Sequence, residues 1–103
     1  APGDETAIDV ARAGAISPLV DLVMAGCEDG RCAAAEALCN ICVTNKIRVA
    51  VMRAGGINPL VEMVRGGTSD EKTAAAGALR TLSLNEDNQV AVSLAHGVAP
   101  LVL

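Results

Sequence analysis

The chain reads GAISPLV at 14–20, GGINPLV at 55–61 and HGVAPLV at 96–102, so one seven-residue phrase returns twice at intervals of 41 residues. The likeness extends past the phrase. AAAEAL at 33–38 returns as AAAGAL at 74–79, VAV at 49–51 as VAV at 90–92, and VARAG at 10–14 as VMRAG at 51–55. Laying 14–62 over 55–103 pairs 49 residues without a gap, of which 21 are identical. Repetition at a fixed period of this length marks a solenoid, in which each unit buries its apolar face against its neighbours.

Within a period the signals are helical. Ile16, Leu19, Val20 and Val23 form an i, i+3, i+4, i+7 stripe. Pro18 and Pro59 are expected in the first turn of this medium helix, where a missing N–H is harmless. Gly26 and the pair Gly66-Gly67 stop it. Thr68 with Glu71 three residues on is a capping box, which starts a long helix through Ala75, Ala78, Leu79 and Leu82. Ala34, Ala37, Leu38 and Ile41 mirror that helix in the first copy. Asn85-Glu86-Asp87 ends it and opens a short helix over about 88–95, closed by His96-Gly97. The same segment in the earlier copy follows Thr44-Asn45, spans 46–54 and closes at Gly55-Gly56. Each period is therefore short, medium and long helix in turn. The fold is an all-α solenoid, a single domain over 1–103 with repeat boundaries near 5–45, 46–86 and an incomplete 87–103.

Composition narrows the function. The 103 residues include 19 Ala, 12 Val and 10 Leu but no Phe, Tyr or Trp, so the core is aliphatic and there are no rings to stack on bases. Net charge is −4 and no basic run occurs, which excludes nucleic acid as a partner. No apolar stretch is long enough for a bilayer, and no charged segment followed by an apolar one opens the chain as a signal peptide would. Cys27, Cys32, Cys39 and Cys42 crowd into one stretch, whereas a secreted disulfide scaffold spreads its cysteines. Reduced thiols and an intracellular, cytoplasmic or nuclear, location follow as the expectation.

No residue pattern supports catalysis. His96 is the single histidine, and no nucleophile-and-base spacing or phosphate loop accompanies it. Cys32, Cys39 and Cys42 share one side of a helix, but a zinc site wants four ligands converging from two elements. A redox CxxC belongs at a helix N-terminus, whereas Cys39 and Cys42 fall near the C-terminal end. Cys42 aligns with Ser83, a small position, so the thiols act as compact apolar groups. No cofactor or metal is expected, and the chain is not expected to be an enzyme.

A three-helix period of 41 residues, with G-x-I-x-P-L-V opening the second helix and A-A-x-A-L-x-N-I in the third, resembles the armadillo repeat over 5–103. The resemblance implies a right-handed superhelix whose third helices line a concave groove for an extended peptide or a partner protein. It places the groove's backbone-binding Asn on Asn40 and then on Thr81. The family's Trp position falls on Glu36 and then on Gly77. With one Asn of two and neither Trp present, the groove departs from the form that takes basic peptides, although Glu36 can still pair with a Lys or Arg. Asp29, Cys32, Cys39, Val43, Asp70, Thr73, Arg80 and Leu84 are the other positions the resemblance turns to the groove. The third copy stops inside its second helix, and a repeat end left uncovered is apolar. Leu101, Val102 and Leu103 are therefore the expected self-association surface of a homo-oligomer, unless the chain is a fragment of a longer array.

Overall fold

The computed structural model describes residues 7–95, with side chains from residue 14 onward. Six helices follow one another: α1 (Ala7–Ala25), α2 (Glu28–Ile41), α3 (Asn45–Arg53), α4 (Ile57–Gly66), α5 (Ser69–Leu82) and α6 (Glu86–Ala95). No strand occurs among the described residues. The period is visible in the helices, since α2 and α5 begin and end 41 residues apart and α3 and α6 start at the same interval.

Local chemistry explains most of the boundaries. At the head of α5, Glu71 N donates to Thr68 Oγ1 over 3.2 Å and Thr68 N donates to Glu71 Oε1 over 2.9 Å, the reciprocal bonds of a capping box. Thr44 caps α3 by accepting from Ile47 N. The turn between α3 and α4 runs through Gly55 at φ +83°, and a Cβ on Gly56 would sit 2.8 Å from Val51 Cγ1. The corresponding residues of the first copy are Gly14 and Ala15, and there α1 runs straight through with no break. Pro18 accordingly lies inside α1, not in a first turn as expected, and the Gly14 carbonyl loses its helical partner. Pro59 does stand in the first turn of α4.

Packing follows the period too. The core is aliphatic and continuous, from Ile16, Val20 and Val23 of α1 through Leu38 and Val51 to Leu60, Leu79 and Leu82. The long helices α2 and α5 lie side by side, with Ala34, Ala35, Ala75 and Ala78 all buried. Methyl side chains let two helix backbones approach closely, so the alanine-rich pattern serves the contact between repeats.

Polar bonds hold the two repeats in register. At one end Arg31 forms an ion pair with Glu71, which is 3% exposed, while Thr68 Oγ1 donates to Glu28 Oε2 over 3.0 Å. At the other end Asn88, fully buried, donates from Nδ2 to Arg48 O over 3.1 Å and to Leu82 O over 2.9 Å. Its counterpart in the preceding repeat is the core residue Ile47, so a buried amide replaces an aliphatic side chain at this seam.

The Thr68 backbone N–H holds the Glu71 carboxyl below the usual carboxylate range; burial opposes this, and Arg31 reinforces it. A carboxyl whose folded value is depressed contributes stability above its unfolded value and loses it as pH falls through the folded one. Glu71→Gln should therefore lower the Tm at pH 7, and the gap from the parent chain should close as the pH falls toward 3. Thermal unfolding followed by far-UV circular dichroism across that range checks this.

Candidate partner-binding face

The exposed side of the α2–α5 layer brings together residues from both repeats. From α2 come Asp29, Glu36 and Asn40, and from α5 come Asp70, Thr73 and Arg80, all exposed. Val43 and Leu84, one period apart just beyond the two helices, are 52% and 65% exposed. Among the described residues, the side chains of Glu36, Asn40 and Arg80 make no hydrogen bond or ion pair. They are available to another molecule.

Three of the expected groove positions are engaged with each other instead. Cys39 is half-buried between the helices, where Sγ donates to Gly77 O over 3.5 Å and lies 3.3 Å from Thr81 Oγ1. Thr81 Oγ1 donates to Gly77 O over 3.1 Å, so the hydroxyl that occupies the second Asn position is bonded within its own helix. A Cβ on Gly77 would rest 4.0 Å from Cys39 Sγ, which makes this position part of the seam. Cys39, Gly77 and Thr81 thus form one contact between repeats, and Asn40 keeps its amide open.

Toward the N-terminal ends of α2 and α5 the face deepens into a cleft of about 330 Å³. Glu28, Asp29, Glu36 and Asp70 line it, with Cys32, Ala33, Thr73 and Ala74 between them. The acids cluster there because the first turn of α2 carries Glu28 and Asp29 and that of α5 carries Asp70, where the helix dipole favours negative charge. The Cys32 thiol reports this environment. Burial pushes it above the ordinary cysteine range, and Glu71, Glu28, Asp70 and Glu36 push it further the same way. Glu28 was not among the positions expected from the sequence. Its signal was the acidic pair opening the long helix, and its place on the cleft wall depends on how the helices stack.

The four cysteines are free thiols in different surroundings. Cys27 is exposed at the N-cap of α2, whereas Cys42 is buried in the core. Burial raises the Cys42 thiol to about 11, with Arg48 pulling down and Cys39 adding to the rise. No group of three or more His, Cys, Asp or Glu among the described residues is placed to hold a metal ion. No helix of the described residues is long and apolar enough to cross a membrane. Leu101, Val102 and Leu103 lie outside the described residues.

Two stacked units of one helical pattern, bonded across their seam, define an α-solenoid repeat protein. Residues 3–43 match the family of the armadillo/beta-catenin-like repeat, and the second unit follows the first at the 41-residue period. Over residues 3–43 the chain is thus similar to an armadillo repeat. Comparisons with curated proteins and with solved structures gave no match.

Alkylation separates the thiol environments. With iodoacetamide at pH 8, Cys27 should be modified first, Cys32 more slowly and Cys42 last, only as the chain unfolds. Peptide mass spectrometry at timed intervals reads the order, and rapid labelling of Cys42 in the folded chain would contradict this account of the core.

Proposed function

We propose that this armadillo-repeat chain is a non-enzymatic module that binds an extended, positively charged segment of a partner protein across the exposed α2–α5 face. The repeat family supplies the coarser part, a protein-interaction module. One observation carries the finer part: the cleft on this face is lined by Glu28, Asp29, Glu36 and Asp70, with no basic side chain in its wall. Carboxylates that converge from adjacent repeats attract a cation more than any one of them does, because their potentials add in the cleft. Asn40 offers both a donor and an acceptor to a peptide backbone farther along α2. Val43 and Leu84 give an apolar side chain a place to rest.

Binding of a labelled peptide with alternating Lys or Arg, followed by fluorescence anisotropy, tests this. Affinity should fall with added salt, and the matched Glu peptide should not bind. Reversing an exposed charge is worth about 1 kcal/mol, so Glu36→Lys should weaken binding roughly fivefold. Asn40→Ala should weaken both Lys and Arg peptides alike, since it removes backbone contacts. Binding that survives both changes would overturn the assignment.

A second reading, self-association through the open end of the array, also has an observation in its favour. Ala35 is fully buried by the second repeat, while its counterpart Ala76 is exposed, and Leu84, Val90 and Leu94 are exposed on α6 and just before it. An apolar end of this kind is covered by a further repeat or by a second copy. Light scattering should show a mass above 10.4 kDa that returns to it when Leu84 and Leu94 are both changed to Ser. A monomer at high micromolar concentration in the parent chain would remove this reading.

A further inference from the structure

Besides its two faces, the acidic one and the α1–α4 side with its open cleft of about 600 Å³, a stack of repeats has two ends. The 41-residue period lets each end be compared with the seam already in place. Where the second repeat covers the first, Ala35 is fully buried and Cys39 half-buried. Their counterparts on the trailing end of the stack, Ala76 and Arg80, are exposed. Where the first repeat covers the second, Ala74 is buried and Gly77 and Thr81 are half-buried. Their counterparts on the leading end, Ala33, Glu36 and Asn40, are exposed. Each end therefore shows, uncovered, the surface that the seam would turn to a neighbouring repeat.

Carrying the seam over by one period pairs particular side chains. In the seam Cys39 Sγ lies 3.3 Å from Thr81 Oγ1, and a Cβ on Gly77 would rest 4.0 Å from the same sulfur. One period on from Cys39 stands Arg80, and one period back from Gly77 and Thr81 stand Glu36 and Asn40. A second copy stacked on the trailing end in the seam geometry thus sets the Arg80 guanidinium opposite the Glu36 carboxylate and the Asn40 amide. A guanidinium has only donors to offer, and a carboxylate with an amide oxygen beside it supplies the acceptors. These are the three side chains on the exposed layer without a hydrogen bond or ion pair among the described residues. The seam itself has the same polarity, since Arg31 of the first repeat pairs with Glu71 of the second. Lys72, the counterpart of Arg31, is exposed on the trailing end as well. The chain carries both halves of the charge pair, on opposite ends.

We infer that copies of this chain associate head to tail, with the trailing end of one seated on the leading end of the next and Arg80 bonded to Glu36 and Asn40 of the neighbour. The inference rests on the self-association reading above and gives it an orientation and a contact. It does not need the peptide reading, with which it competes for Glu36 and Asn40. An interface between unlike ends does not close on two copies, so assembly grows with concentration until a ring forms. A symmetric pair of trailing ends would instead bring two copies of Lys72 and Arg80 into one interface, which like charges oppose.

Light scattering of the full chain over a concentration series, with no peptide present, is the test. The average mass should rise with concentration through multiples of 10.4 kDa and fall as salt is added. Glu36→Arg and Arg80→Glu each set like charges opposite one another, and each should weaken association roughly tenfold or more. Mixing the two variants in equal amounts should restore the mass, because each contact between them pairs unlike charges again. Both changes in one chain should restore it too, and far-UV circular dichroism checks that every variant is folded. Asp21 is exposed, and its counterpart Glu62 stays 70% exposed in the second repeat, so this position belongs to neither end. Asp21→Arg should therefore leave the mass unchanged. A mass of 10.4 kDa at high micromolar concentration would remove both this inference and the reading on which it rests. Association that withstands Glu36→Arg, or that the mixture of folded variants does not restore, would overturn the head-to-tail contact and leave self-association standing.

Discussion

The close contact of α2 with α5 is the constraint on which the rest of the structure depends. It requires small side chains along the seam, and Ala34, Ala35, Ala75 and Ala78 meet that need with side chains that lose no rotamer freedom on burial. A methyl-lined contact is short-ranged and only weakly specific in register, since many offsets of alanine against alanine pack equally well. The polar bonds at its two ends supply the register. Arg31 with Glu71 and Thr68 with Glu28 hold one end, and the Asn88 amide joins Arg48 and Leu82 at the other. The same stacking that aligns the helices also brings Glu28, Asp29, Glu36 and Asp70 to one cleft.

The two faces of the molecule differ in kind. On the α2–α5 side, charge of one sign accumulates because the first turns of two parallel helices favour acids and the period brings those turns together. On the α1–α4 side Arg31 is paired with Glu71, while Met24, Asn58 and Glu62 stand exposed. The Coulomb field of a cleft of carboxylates acts at a distance and weakens with salt.

Much of the fold was legible because repetition and helix signals agree. The capping box at Thr68 and Glu71 formed as the spacing requires, and the long helices recur at the period read from the residues. The first copy was harder to read. VARAG and VMRAG look alike, yet α1 continues where the second copy turns, because the turn at Gly55-Gly56 needs a positive φ and a position without Cβ. The site was legible only in outline. Asn40 and Glu36 are exposed on the expected helix, while Thr81 and Gly77, assigned by the same alignment, are tied to Cys39. A one-dimensional alignment does not show that a hydroxyl has already bonded the carbonyl one turn earlier in its own helix.

By itself the sequence determined the period, the helical composition of each unit and a core without aromatic side chains. These follow from residue spacing and side-chain chemistry, which act locally along the chain. Only the tertiary structure decided which acids share a cleft, which thiols are buried, and where α1 and α4 part to leave an open cavity. Those outcomes depend on the distance and angle between helices about 40 residues apart in the chain. Neighbouring residues do not encode that geometry; it emerges from packing the whole seam at once.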